Sequence, residues 1–161
     1  MGTVILRAPE AGDYGWVIWR HDEIYRQDYG YNDHFIALVA RTVADYMENH
    51  DPVRERCWIA EVDGERAGSV FLVREQDDVA RLRLLLVERN MRGHGVGRRL
   101  VEQCVTTARE LGYRRIVLWT SKELEPAIRI YRQFGFRLVA ERPSTEYGAS
   151  FIGQDWALDV E

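Results

Sequence analysis

Cysteine is scarce in this chain. The 161 residues contain only Cys57 and Cys104, each inside an apolar stretch and without CxxC spacing. That pattern points to two buried, reduced thiols. The four histidines, His21, His34, His50 and His94, show no HxxxH or other metal-ligand spacing, so no metal site is expected. No apolar run approaches the length of a membrane span, and the opening MGTVILRAPE lacks the apolar core of a signal peptide. No membrane partner is expected, and a cytoplasmic protein is the default reading. An excess of positive charge is also missing. The formal net charge is −4, which makes DNA or RNA a poor partner because such binding rests on neutralising phosphates. The mild acidity suits a cationic substrate. Low-complexity segments, linkers and repeats are absent, so residues 1–161 read as one domain.

What is present is an ordinary globular balance, 46% apolar and 30% charged residues. A first strand is expected at 3–7. Residues 14–20 (YGWVIWR) fit a strand or the start of a helix equally, with a short helix over 21–29. Asp33 caps a further helix, whose stripe Phe35, Leu38, Val39, Thr42, Val43, Tyr46 and Met47 keeps the 3.6-residue period. Strands at 56–62 and 67–74 are joined across Asp63-Gly64, a strong hairpin signal, and 80–87 makes a third. Residues 95–111 predict an amphipathic helix with Val96, Leu100, Val101, Cys104, Val105, Ala108 and Leu111 on one face, stopped by Gly112. A buried strand at 115–120, a short helix between Pro126 and Gly135, and two strands in 136–160 complete the order. The fold class is α/β: a mixed, mostly antiparallel sheet of six to seven strands with helices on both faces.

The most informative segment follows the third strand. Arg92-Gly93-His94-Gly95-Val96-Gly97 leads straight into a helix. Its glycines allow close backbone approach, and free N–H groups at a helix N-terminus attract an anion. Arg92, Arg98 and Arg99 add positive charge, so a di- or triphosphate is the natural ligand. A P-loop is excluded because GxxxxGK[ST] is absent. A Rossmann fingerprint is excluded because GVGRRL lacks the third glycine and sits mid-chain after a meander.

This segment resembles motif A, [RQ]xxGx[GA], of the GNAT superfamily of N-acetyltransferases. The RIYRQFGF segment, with Tyr131, Gly135 and Phe136, resembles a later motif of that family, and the order of elements agrees over roughly residues 55–140. Residues 12–50, with GDYGWVIWRH and the following tyrosines, look similar to acetyltransferase domains fused behind winged-helix (MarR-type) regulators, although this chain shows no DNA-binding half. The resemblance implies acetyl-CoA as co-substrate and no metal. The backbone of Leu85, Leu86 and Val87 would pair with the pantetheine arm where two middle strands splay, placing 85–87 opposite 118–120. The loop Arg92, Gly93, His94, Gly95, Val96 and Gly97, with Arg98, would hold the pyrophosphate. Tyr131 occupies the position of the tyrosine commonly assigned as general acid; its place in an apolar helical stripe also allows a core role. An asparagine often contacts the cofactor near the position of Leu124, and that contact is missing.

The acceptor would be a primary amine of a small molecule or peptide. Trp19, His21, Glu23, Tyr25 and Trp119 are the candidate acceptor-side residues, since aromatics with acids suit a cationic amine. The general base is not legible; Glu61 and Glu88 are the carboxylates considered. A CoA-binding module without catalysis and a donor larger than acetyl are the alternatives. The tail strands allow pairing into a homodimer.

Overall fold

Two apolar layers, one on each face of a single sheet, organise the chain. The computed structural model describes residues 2–161. In chain order the elements are β1 (Val4–Arg7), α1 (Asp13–Tyr29), α2 (Asp33–Asn49), β2 (Arg56–Val62), β3 (Glu65–Gln76), β4 (Val79–Val87), a single 3-10 turn (Arg89–Met91), α3 (Val96–Glu110), β5 (Arg115–Ser121), α4 (Glu125–Gln133), β6 (Arg137–Ser144) and β7 (Phe151–Asp159). The seven strands run in the order β1-β2-β3-β4-β5-β7-β6. Among the described residues only β4 and β5 pair in parallel. The expected mixed, mostly antiparallel sheet with helices on both faces is the fold observed.

One core joins the sheet to α3 and α4 and contains Val70, Leu72, Leu82, Leu100, Cys104 and Tyr131. The other joins it to α1 and α2 and contains Val17, Ile24, Val39, Val43, Cys57, Ile59 and Phe71. The cysteines therefore lie in opposite layers, both buried and unbridged. Among the described residues, no helix is long and apolar enough to cross a membrane.

The ambiguity at 14–20 resolves as helix. Residues 13–29 form one continuous α1, and the strand alternative for its first part is corrected. Tertiary contacts decide it. Asp13, in the first turn and fully buried, accepts hydrogen bonds from the Arg7 Nη1 at 2.7 Å, the Arg66 Nε at 2.7 Å and the Glu10 N–H at 2.6 Å. Burial works to raise its pKa, but these three partners outweigh it and hold the carboxyl below its ordinary value. Trp16, Val17, His21 and Ile24 then form the buried face. The Asp63-Gly64 turn has φ 53° and 79°, the left-handed pair that a two-residue hairpin requires.

Two irregularities in β4 prepare the site. First, Ser69 pairs with Leu86 but Phe71 pairs with Arg83, so two residues of β4 oppose the single Val70. This is a β-bulge, and Leu84 takes φ 53° within it. The bulge reverses the alternation: Leu82 faces α3, but beyond the bulge it is Leu85 and Val87 that do so, while Leu84 and Leu86 face α1 and α2. Second, β4 and β5 pair only from Val79↔Arg115 to Arg81↔Val117. Beyond that point the two strands part.

Candidate functional site

The wedge between the parted strands opens into a cavity of about 390 Å³, within the usual range for a small-molecule or cofactor site. It is lined by Leu85, Leu86 and Val87 from β4, by the loop and the start of α3, by Tyr25 and Tyr29 from α1, and by Leu124, Pro126, Ala127 and Ile130 around α4. Arg92, Gly93, Gly95, Val96, Gly97 and Arg98 all face it. His94 is the exception: its Nδ1 meets the Met91 carbonyl at 3.1 Å, which fixes the loop.

The loop's local chemistry suits an anion. Gly93 and Gly95 take φ 89° and 76°, and a Cβ at either would meet no atom within 4 Å. The left-handed backbone favours glycine there, and the space above it is open. Gly95 caps α3 with no side-chain hydrogen bond, and the first turn holds no acidic residue. The N–H groups of that turn and the positive end of the helix dipole are thus left for a ligand. Arg98 lies 4.9 Å over the Phe134 ring and donates to Gln133 at 3.1 Å, which holds it beside the opening.

A second cavity, of about 130 Å³, lies between the parted strands. Tyr25, Leu85, Leu124 and Ala127 line both cavities and mark the neck where the two adjoin. His21, Tyr31, Thr42, Arg81, Arg83, Trp119, Thr120 and Tyr131 line the second. Leu124, the departure from the family pattern noted above, thus puts an apolar side chain at the neck.

Tyr131 is almost fully buried. Burial first, and the neighbouring Tyr25 second, push its phenol pKa up. His21 is also buried and stacks on Tyr25 at 5.5 Å. Its Nδ1 sits 2.7 Å from the Val17 carbonyl, so that nitrogen carries the proton, and Nε2 has no partner. Burial pushes the imidazole pKa down to about 4.

The sign of that shift gives a testable consequence. The native state keeps His21 neutral, whereas the unfolded chain protonates it near pH 6.5. Its contribution is complete above about pH 6.5 and is lost as pH falls through about 4, amounting to about 3 kcal/mol. Thermal melts between pH 7 and 4 are expected to show this slope, and His21→Gln to flatten it. An equal slope in the variant would mean that His21 is not held neutral by burial.

Not every expected acceptor-side residue reaches the wedge. His21, Tyr25 and Trp119 do, but Trp19 and Glu23 line a separate shallow depression with Asp22, Arg26 and Gln27. Trp19 is 57% exposed and stacks under Arg20, and Glu23 pairs with Arg20 at 3.0 Å. They sit on the outward face of α1, because Val17, His21 and Ile24 take the inward one. The two carboxylates considered as bases are also engaged elsewhere. Glu61 accepts from Arg7, Glu88 accepts from Arg20 Nη2 at 3.0 Å, and neither lines a cavity. Among the described residues no cluster of His, Cys, Asp and Glu is arranged to hold a metal. Tyr31, from the same aromatic stretch as His21 and Tyr25, also lines the second cavity, and Arg83 of the third strand, to which the sequence assigns no function, lines it too.

Residues 17–136 match the acetyltransferase (GNAT) family. The uncharacterized N-acetyltransferase YjgM of Escherichia coli K12 is 30% identical over 82 residues, 49% of this chain and 49% of that protein. The N-acetylaspartate synthetase of Danio rerio is 32% identical over 104 residues, 64% of this chain and 36% of that protein. The chain therefore spans half or less of the length of these curated relatives. Among solved structures, yncA from Salmonella typhimurium with its cofactor acetyl-CoA superposes with a TM-score of 0.79 at 16% identity, over 98% of this chain and 94% of that one. The ribosomal-protein-alanine N-acetyltransferase of Brucella melitensis gives 0.78 at 16% identity, over 96% and 99%. At such identities these structures speak for the fold. None of these relatives is described as fused to a winged-helix regulator, so the assignment rests at the level of the family. With three quarters of its length matched and the glycine loop at the mouth of the wedge, the chain belongs to the acetyltransferase (GNAT) family.

Proposed function

We propose that this protein is an acetyl-CoA-dependent N-acetyltransferase that acetylates a primary amine of a small molecule or peptide. The observation that carries the reading is the pair of adjoining cavities where β4 and β5 part, with the glycine loop lining one and Tyr131 the other. In this reading the first-turn N–H groups of α3, with Arg92 and Arg98, hold the pyrophosphate of acetyl-CoA. The backbone of Leu85, Leu86 and Val87 lies along the pantetheine arm, and the thioester reaches the neck.

The amine nitrogen attacks the thioester carbonyl, a C–N bond forms and the C–S bond breaks. Tyr131 stays protonated because burial disfavours its phenolate, and it donates to the departing sulfur. The nitrogen's proton becomes acidic once the C–N bond forms. It leaves to solvent, while His21 Nε2, an unpartnered acceptor in the second cavity with its pKa pushed down to about 4, orients the amine by a hydrogen bond. That acceptor favours catalysis over a CoA-binding module without turnover, the alternative reading. Residues 1–161 act as one domain, in a cytoplasmic setting that suits two unbridged cysteines. The exposed strand β6 lies at the sheet edge and offers the surface for homodimer pairing.

Acetyl-CoA at one hundred times its Kd is expected to add about 2.7 kcal/mol of stability, or roughly 5–11 °C in Tm for a chain of this size. Thiol release should follow when an amine panel is added. Stabilisation without release for any amine would favour the binding module; no stabilisation would sink both readings.

A further inference from the structure

The second cavity is lined by positive charge and by no carboxylate. Its charged lining residues are Arg81 and Arg83. Arg81 is neutralised by Glu75, through Nε at 2.7 Å and Nη2 at 3.4 Å. Arg83 is half-buried, and no carboxylate pairs with it among the described residues. Burial, then the charge of Arg81, pushes its pKa down. The acidic groups in its wider surroundings are occupied: Glu75 by Arg81, and Asp45 by the Asn49 side-chain amide at 2.8 Å. A guanidinium withdrawn from water without a counter-ion is costly. A ligand anion would remove that cost, and the planar guanidinium fork matches a carboxylate with two parallel hydrogen bonds.

A further polar group in the same cavity lacks a partner, His21 Nε2, an acceptor. An uncompensated cation and an open acceptor in one small cavity match a molecule that brings both an anion and an N–H donor. The acidic residues of segment 14–35 do not line this cavity, so a purely cationic acceptor finds nothing here to pair with. Resting on the acetyltransferase reading above, we infer that the acceptor is an amine that also carries a carboxylate. Arg83 holds the carboxylate and His21 Nε2 accepts from the amine. A free α-amino acid is the simplest molecule of this class.

The test uses the full chain with acetyl-CoA, the standard L-amino acids and the decarboxylated amine of each. For the acids turned over, kcat/KM is expected to exceed that of the matching amine on the order of 100-fold. Arg83→Gln should collapse that ratio toward one. Its Tm should hold or rise, because an uncompensated cation is removed. Decarboxylated amines used as well as the acids, or an unchanged ratio in the variant, would overturn the inference.

A second readout is independent of turnover. Trp119 lines the cavity, so L-amino acids titrated in the presence of CoA should change the tryptophan fluorescence, and Arg83→Gln should abolish that change. Binding that depends on Arg83, with no amine acetylated, would keep the carboxylate site and remove the acetyltransferase reading. Absence of amino-acid binding, with amines acetylated, would do the reverse.

Discussion

Gly68→Val is expected to melt roughly 6–12 °C below the wild type and to weaken acetyl-CoA binding at least about tenfold. Gly68 lies in β3, paired with Val87 of β4. A Cβ there would come within 2.4 Å of the Leu86 carbonyl oxygen and 3.1 Å of both Leu100 Cδ1 and Val96 Cγ1. The side-chain carbons can yield by tenths of an ångström, but the carbonyl belongs to the backbone that lines the cavity and cannot yield without moving it. Overpacking of this kind costs about 3 kcal/mol, which for a chain of this length is about 2–4 °C in Tm per kcal/mol. The displaced segment is Leu86–Val87, so the loss should appear in affinity as well as in stability. Gly15→Ala is the matched control. A Cβ at Gly15 meets nothing within 4 Å, and alanine in α1 should stabilise by about 0.5–1 kcal/mol. Calorimetry for binding and thermal scans for folding decide it. A Gly68→Val protein that binds and melts like the wild type would mean that the spacing of β3 and β4 is set elsewhere.

Tyr131→Phe is expected to lower kcat on the order of a thousandfold while the Kd for acetyl-CoA stays within about twofold. General acids contribute about 10²–10⁴ to rate. The phenol is held protonated by burial, lines the second cavity rather than the first, and packs its ring against Phe136 at 5.6 Å. Phenylalanine keeps that packing and removes only the hydroxyl. Steady-state kinetics and acetyl-CoA titration separate the two parameters. Wild-type kcat in the variant would return Tyr131 to the core, the other role its apolar helical stripe allowed. A rise in Kd with unchanged kcat would place it on the donor side instead.

The parts of this architecture written in local pattern were legible. The stripe from Val96 to Ala108 and the Asp63-Gly64 hairpin each depend on neighbours in the chain, and both lie where their spacing placed them. The glycine loop was legible for the same reason: backbone freedom and charge are recorded in the residue types. Residues 14–20 were not, because Trp-Val-Ile-Trp carries strand propensity and Gly15 weakens the helix. Arg7 and Arg66 settle the matter through Asp13; Arg7 lies outside the helix on β1, and Arg66 is a distant partner on β3. The outward turn of Trp19 has the same origin. The bulge at Leu84 was invisible because three consecutive leucines fit either face, and only the register with β3, which shifts between Ser69 and Phe71, tells them apart. Arg83 stands out only once Glu75 is seen to satisfy Arg81. Gly68 could have been found, since a lone glycine within a strand often marks a close backbone approach.

The placement of the two sulfurs has a practical consequence. Burial keeps both thiols protonated, Cys57 in the layer under α1 and α2, and Cys104 in the layer under α3. A thiolate-trapping reagent added during turnover would therefore meet almost no reactive sulfur on the folded protein, and its colour would count released CoA. Heated without substrate, the same reagent becomes a clock for breathing motions. Labelling at Cys57 would time the opening of one face of the sheet, labelling at Cys104 would time the other, and unequal rates would identify the half that loosens first.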